Sequence, residues 1–465
     1  MKRFLLAVLS LVPLAAHAAP VPEVLGHVRS FVKISQTQGG FIGQLSDDDW
    51  FGRAITRLGD LDGNGTDDLA VGASQDDDGG LGRGAVWILF LQPDGSVLDT
   101  QKISDTEGGF TGVLDDVDLF GDAVAGIGDL DGDGLPDLAV GAGGDDDGGF
   151  DRGAVWILFL NPNGTVRTYQ KISSTEGGFA GSLQNGDAFG RALSAIGDLD
   201  GDGVTDLAVG APFTNGGGVG RGASWILFLH PGGTVSDQQE ISDIAGGFGG
   251  VLADSDAFGS SLAPIGDLDG DGTVDLAVGS PWNQDGGNFD AGATWVLFLN
   301  DDGTVAGEQK ISATAGGFTG TLEASSQFGS GVAPLGDLDC DGRPDLAVGA
   351  DGIAGGGPSR GAMFDLFLDS DGTVRFHTKV GDASGGFTGV LDDFDYFGGE
   401  VAPLADLDGD GHPEVAVGAF GDDDGGPDRG AVWILFLDGP VCPPPLIFAD
   451  GFESGDASAW SSSVP

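Results

Sequence analysis

The chain has 465 residues, of which 73 are acidic and 19 basic, and its formal net charge is -54 at pH 7. This charge excludes nucleic acid as a partner, because the phosphate backbone would be repelled. The 89 glycines fall at turns rather than at every third position, which excludes a collagen-like chain.

Residues 1–18 have the pattern of a secretory signal peptide. Lys2 and Arg3 precede an apolar stretch from residue 4 to residue 14, and Ala16-His17-Ala18 is a small-x-small cleavage site. The apolar stretch is too short to span a bilayer, and no later segment approaches the required length. The sequence therefore predicts an exported protein, secreted or at the cell surface, with no membrane span.

A nine-residue acidic motif occurs six times, and its first aspartates are 69 or 70 residues apart. Oxygen donors at positions 1, 3, 5 and 9, with Gly at position 6, suit a hard cation such as Ca2+. One loop per fixed period indicates a repeat architecture, so we predict about one Ca2+ per repeat. The predicted ligands are Asp60, Asp62, Asn64 and Asp68; Asp129, Asp131, Asp133 and Asp137; Asp198, Asp200, Asp202 and Asp206; Asp267, Asp269, Asp271 and Asp275; Asp337, Asp339, Asp341 and Asp345; and Asp406, Asp408, Asp410 and Glu414.

Each repeat contains four short runs with strand composition, which in the second repeat are residues 123–128, 137–142, 153–160 and 165–172. The third run is apolar on both faces, so it should be covered on both sides. Four-stranded sheets packed between similar sheets are the blades of a β-propeller. The same periodicity predicts core positions between blades, rather than a row that stacks on sugars, for Trp87, Trp156, Trp225, Trp295 and Trp433.

The two ends of the repeat region complement one another. The last repeat lacks a fourth strand, and the N-terminal run His27–Ile34 is a spare one. We predict that Val28–Ile34 pairs beside Ala431–Leu437, which would close the ring and remove its exposed sheet edges. The fold class is therefore all-β, a propeller of six four-stranded blades over residues 23–438.

A Phe-Gly pair precedes every acidic loop, and an Ala-Val-Gly strand follows it, which ends in Ala in five repeats, as in Ala139–Ala142, and in Ser280 in the fourth. In this order the motifs resemble the FG-GAP repeat of integrin alpha-chain propellers and of many bacterial secreted proteins. Integrin propellers have seven blades, so seven is the alternative to our count of six. Four local departures are Asn64 at position 5 of the first loop, Cys340 in place of Gly in the fifth, Ala405 before the sixth loop, and Glu414 at position 9 of the sixth. The Phe-Gly pairs begin at Phe51, Phe120, Phe189, Phe258, Phe328 and Phe397.

The resemblance implies adhesion or ligand binding through one side of the disc, with calcium as a structural element. The ligand would be a glycan or an extracellular protein, and no catalytic residue is assigned. The alternative is a secreted polysaccharide-acting enzyme, a lyase or hydrolase on a propeller scaffold, because carboxylate pairs are numerous. A purely structural surface protein is a third hypothesis.

Connections between the second and third strands should lie on the side opposite the metal loops. They contain acidic runs at residues 76–80, 145–149 and 422–426, which are either a cation or ligand site or simple turn formers. An arginine follows at the equivalent position in five repeats and should pair with a carboxylate. These arginines are Arg83, Arg152, Arg221, Arg360 and Arg429.

Residues 439–465 form a Pro-rich linker and a C-terminal tail that could dock on the propeller, act as a sorting signal or stay disordered. The chain has two cysteines, Cys340 in the fifth loop and Cys442 after the last strand. In an exported protein they could form one disulfide, which would tie down the tail, or remain free thiols.

Overall fold

The computed structural model describes residues 25–440, which contain 24 strands and one short helical turn, the 3-10 turn Asp285–Gly287. In the second repeat the four observed strands coincide with the four predicted runs to within a few residues. The strands are β1 (His27–Ser35), β2 (Phe51–Gly59), β3 (Asp68–Ala73), β4 (Ala85–Leu91), β5 (Val97–Ser104), β6 (Phe120–Gly128), β7 (Asp137–Ala142), β8 (Ala154–Leu160), β9 (Val166–Ile172), β10 (Ala192–Gly197), β11 (Asp206–Ala211), β12 (Ala223–Leu229), β13 (Val235–Ser242), β14 (Leu262–Gly266), β15 (Asp275–Ser280), β16 (Ala293–Leu299), β17 (Val305–Ser312), β18 (Phe328–Gly336), β19 (Asp345–Ala350), β20 (Ala362–Leu368), β21 (Val374–Gly381), β22 (Val401–Pro403), β23 (Glu414–Ala419) and β24 (Ala431–Asp438).

These strands form six four-stranded antiparallel sheets, each a blade of a β-propeller. Five blades consist of consecutive strands, from β2–β5 to β18–β21, and the sixth has the order β1-β24-β23-β22. The all-β fold and the count of six blades are confirmed, and the alternative of seven is wrong. The described residues thus cover almost the whole predicted propeller, whereas residues 1–18, Cys442 and most of the tail lie outside them.

The ring is closed by the strand that the sequence predicted. β1 pairs antiparallel with β24, and the register places Val28 opposite Leu437 and Ile34 opposite Val432. The N-terminal strand therefore supplies the fourth strand of the last blade, and the closed ring leaves no blade without a neighbour on either face.

The core lies between adjacent blades. All residues of the second and third strands in the second blade, β7 and β8, are buried. The five tryptophans on the third strands are 2–5% exposed, which confirms their predicted core positions. Each packs against a phenylalanine from the preceding blade connection, as Trp156 does at 5.1 Å between its ring centroid and that of Phe110. Such edge-to-face aromatic pairs add to the energy of burial.

Strand direction assigns the connections to two sides of the disc. The acidic loops join first to second strands, and they share the metal-loop side with the turns from third to fourth strands. Connections from second to third strands, and from blade to blade, share the opposite side. Within residues 25–440, no helix is long and apolar enough to cross a membrane.

Candidate metal centres and the opposite side

Each acidic loop is shaped by local hydrogen bonds from backbone N–H groups to aspartate side chains. In the second loop, one carboxylate oxygen of Asp129 accepts the N–H of Gly134 at 2.8 Å. Asp131 accepts the N–H of Asp133 at 3.2 Å, and Asp133 accepts that of Leu135 at 2.9 Å. The same three bonds occur in the other five loops. These Asx-type turns hold positions 1, 3 and 5 around a common centre.

The position-9 acid anchors the loop to the sheet. Asp137 is buried, and its two carboxylate oxygens accept the N–H of Leu130 at 3.0 Å and that of Leu160 at 3.3 Å. Burial raises the pKa of Asp137 to about 6, against the lowering effect of these two bonds. In the fifth loop burial and the nearby Asp339 raise the pKa of Asp345 to about 8. A cation beside these acids would favour their ionised form.

Three or four of the predicted ligands converge in each of five loops, whereas Asp133, Asp202 and Asp275 lie outside these close groups. Carboxylate oxygens from each of several loops lie within 4.8 Å of one another, an all-oxygen set that a hard cation prefers. In the sixth loop Glu414 is 1% exposed, and its Oε1 has no hydrogen-bond partner among residues 25–440, so a cation there would satisfy it. The groups are Asp60, Asp62 and Asp68; Asp129, Asp131 and Asp137; Asp198, Asp200 and Asp206; Asp267, Asp269 and Asp271; and Asp406, Asp408, Asp410 and Glu414.

The acidic runs of the opposite side form turns, and the first and third aspartates of each run also pair with a lysine. In the second blade Lys171 places its Nζ 2.7 Å from Asp145 and 2.8 Å from Asp147, and stacks 5.0 Å over the ring of Trp156. Burial lowers the pKa of Lys171, but the two aspartates outweigh it and the pKa is raised. The same arrangement joins Lys102 to Asp76 and Asp78, and Lys33 to Asp422 and Asp424.

The equivalent arginines of five blades also pair, four of them with carboxylates as predicted. Arg83 contacts Asp105 at 2.8 Å and Asp116 at 3.1 Å. Arg152 differs, because its Nε donates to the amide oxygen of Asn185 at 3.1 Å. The three remaining pairings are Arg221 with Asp243 and Asp254, Arg360 with Asp382 and Asp393, and Arg429 with Asp47.

A charged mouth lies where the inner strands meet on the opposite side. Arg53 and Arg191 both contact the buried Asp122, and the Arg53 Nε lies 3.5 Å from one of its oxygens. Burial and the neighbouring Arg191 lower the pKa of Arg53. Burial raises the pKa of Glu400 to about 8 and that of Asp351 to about 7. Three blades thus contribute to one ion-pair network at the centre of the disc.

Aromatic side chains surround this mouth. They line a cavity of about 220 Å³ together with Arg53, Arg191 and Asp351. The rings of Phe213 and Trp282 stack with centroids 5.5 Å apart, and Trp282 is 38% exposed. Sequence reasoning missed the mouth, although its signal is visible in the residue that follows each Phe-Gly pair. That residue varies from blade to blade, as Arg53, Asp122, Arg191, Ser260, Ser330 and Gly399.

The model of the FG-GAP repeat matches five segments, residues 51–89, 120–158, 189–227, 258–297 and 397–435. Each segment runs from the Phe-Gly pair through the acidic loop to the third strand of one blade. The chain is an FG-GAP repeat β-propeller. The fifth blade is the one that this FG-GAP model leaves unmatched, and it carries Cys340 in its loop and Phe364 in place of the core tryptophan.

Curated relatives of this FG-GAP propeller include integrin alpha chains. Integrin alpha-5 of Xenopus laevis is 33% identical over 243 residues, which are 51% of this chain and 20% of that protein. Integrin alpha-IIb of Homo sapiens is 34% identical over 49% of this chain and 19% of its own length. Integrin alpha-PS5 of Drosophila melanogaster is 36% identical over 33% of this chain and 14% of its own. The chain spans a fifth or less of the length of these relatives.

The fifth loop also bears on the predicted disulfide. Cys340 is not a free thiol, and its Sγ lies 3.4 Å from the carbonyl oxygen of Pro440. Its predicted partner, Cys442, lies outside the described residues. The Cys340–Cys442 pairing therefore stays a prediction, supported by the approach of Pro440, two residues before Cys442.

Proposed function

We propose that this FG-GAP propeller is an exported, calcium-binding module that binds an extracellular protein through the side opposite its metal loops. Calcium would be structural, held by the converging carboxylates and the unpaired Glu414 oxygen. The pattern of residues 1–18 supports export. The likeness to integrin alpha chains supports a role in ligand binding.

The distribution of exposed apolar side chains supports the choice of side. Among residues 25–440, thirteen large apolar residues are exposed, and twelve of them lie in connections of the opposite side. The exception is Leu98, in β5. Concentration of exposed apolar surface on one side of a strongly acidic protein marks an interaction surface. The twelve are Ile42, Leu81, Val113, Val117, Phe150, Val219, Ile244, Val251, Trp282, Phe289, Val390 and Phe394.

The surface favours a protein over a sugar as the main ligand. Aliphatic residues such as Val113, Val251 and Val390 make up much of the set, and protein interfaces bury such groups in their cores. The polysaccharide-acting enzyme draws no comparable support, because Asp122 at the mouth is held between two arginines.

A binding screen against extracellular matrix proteins and glycans, with calcium and with chelator, tests the proposal. We expect a protein ligand that binds in calcium and is lost with Phe150→Ser and Phe289→Ser combined. Leu98→Ser is the matched control, because Leu98 is 54% exposed but lies outside the opposite side. Binding that survives the double change, or that needs Leu98, would contradict the choice of side. No ligand under either condition would favour a purely structural protein.

A further inference from the structure

Three of the six metal loops are contacted by an arginine from the fourth strand of their own blade. In the second blade, the Arg167 guanidinium lies 2.6 Å from Asp131 and 2.7 Å from Asp133, at positions 3 and 5 of the loop. The equivalent pairs in the fifth and sixth blades are Arg375 with Asp339 and Asp341, and Arg29 with Asp408 and Asp410.

The other three blades have no cation at this strand position. The residue after the first valine of the fourth strand is Leu98 in the first blade, Ser236 in the third and Ala306 in the fourth. Loops two and three form a matched pair, because both carry aspartate at positions 1, 3, 5 and 9 and differ in having Arg167 or Ser236 alongside.

The arginine uses the oxygens that the loop backbone leaves available. In loop two the Oδ1 atoms of Asp131 and Asp133 accept backbone N–H groups, and the Oδ2 atoms of both face Arg167. An ion that takes either Oδ2 atom would have to displace the guanidinium from it.

We propose that Arg29, Arg167 and Arg375 are built-in competitors of the metal, so that the six loops form two affinity classes. Loops one, three and four bind calcium tightly, and loops two, five and six bind it more weakly. In the weak class the guanidinium stands in for the ion when calcium is scarce and keeps the loop folded. This inference rests on the calcium sites of the proposed function and is independent of the extracellular ligand.

The size of the effect follows from Coulomb's law. A guanidinium about 5 Å from a divalent ion in water repels it enough to weaken binding on the order of tenfold. Loss of the contacts between the arginine and the two carboxylates would weaken ion binding further. Positions 3 and 5 of these loops are partly exposed, which keeps the effect in this solvent-screened range.

Calcium titration of the full chain against a chromophoric chelator tests the division. The native protein should show three tight and three weak sites. Asp198→Ala in loop three should remove a tight site, and Asp129→Ala in loop two should remove a weak one. Loss of a tight site from Asp129→Ala would overturn the inference.

Exchange of the two matched residues gives a sharper test. Arg167→Ser should convert a weak site to a tight one, Ser236→Arg should do the reverse, and the double variant should restore the native titration. Arg83→Ser, on the opposite side, is the control and should leave the titration unchanged. Six equivalent sites that ignore these exchanges would sink the inference and leave calcium binding intact, whereas a chain that binds no calcium would sink the calcium part of the proposed function.

Discussion

The two sides of the disc differ in how closely the six blades repeat one another. On the metal-loop side, every blade repeats the acidic loop and its three hydrogen bonds from backbone N–H groups, and the residue at the position of Arg167 is a cation in three blades and uncharged in the other three. On the opposite side, the residue after the Phe-Gly pair varies among arginine, aspartate, serine and glycine, and Arg53, Asp122 and Arg191 from three blades meet in one network. Each blade has to fold its own acidic loop, so the loop sequence repeats. A single network at the centre of the disc takes a different side chain from different blades, so its residues do not repeat.

Removal of calcium should have the largest effect, and it should act through the metal-loop side. A site of about 0.1 mM affinity stabilises by roughly 1.4 kcal/mol at about 1 mM calcium. Three independent tight sites of this kind would give about 4 kcal/mol, a large share of the stability of a whole domain, and the weak sites would add less. Excess chelator should therefore lower the melting temperature strongly, as followed by calorimetry.

Magnesium should restore little of this stability, because it requires tighter octahedral geometry. A melting temperature that does not respond to chelator would mean that the acidic loops are simple turns. The two sides would then not differ in metal binding.

The lysine pairs should dominate the stability of the opposite side. Lys171→Met would leave Asp145 buried without its counter-charge, which should cost about 3 kcal/mol. The matched control is Lys379→Met in the fifth blade, where Ile353 occupies the position of Asp145 and burial lowers the lysine pKa. That change should be close to neutral in urea unfolding. Equal costs for the two variants would show that lysine packing, not charge pairing, is what matters.

One blade has a buried acid where the other five have an apolar residue. Asp365 in β20 occupies the place of Ile157, is fully buried, and has no hydrogen-bond partner for either oxygen among residues 25–440. Burial and Asp345 raise its pKa well above the usual range. The folded state thus binds a proton that the unfolded state releases near pH 4, so stability falls as the pH rises above about 4.

Asp365→Ile should raise the free energy of unfolding at pH 7 by about 2 kcal/mol and flatten this pH dependence. Urea unfolding at pH 5 and pH 8 measures both effects, and the reverse change Ile157→Asp should introduce them in the second blade. A variant as pH-sensitive as the native chain would assign the dependence to other acids.

A single loop should account for the smallest effect. Asp198→Ala should lower stability in calcium by about 1.4 kcal/mol, the share of one tight site, and by less in chelator. Asp301→Ala, an exposed acid in a turn on the same side, should change stability by less than about 0.5 kcal/mol. Similar losses for both in calcium would show that the loop acid acts through general charge rather than through a bound ion.

The sequence by itself determined the blade, the ring and the loop. Strand bounds in the second repeat, burial of Trp156 and pairing of Val28–Ile34 beside Ala431–Leu437 follow from apolar periodicity and from a fixed repeat length. Each loop folds through bonds between residues two to seven apart, such as Gly134 to Asp129, so its geometry is local and visible in the chain.

Only the tertiary structure decided which charges meet. Arg167 is 36 residues from Asp131, and Arg191 is 69 residues from Asp122, so neither pair leaves a local pattern in the sequence. Strand register and the closure of the ring bring these groups together, because side-chain contacts between strands and between blades depend on the assembled sheet. For the same reason the sequence left open whether the acidic runs of the opposite side were simple turns or binding sites. Folding buries the first aspartate of each run against a lysine of a fourth strand.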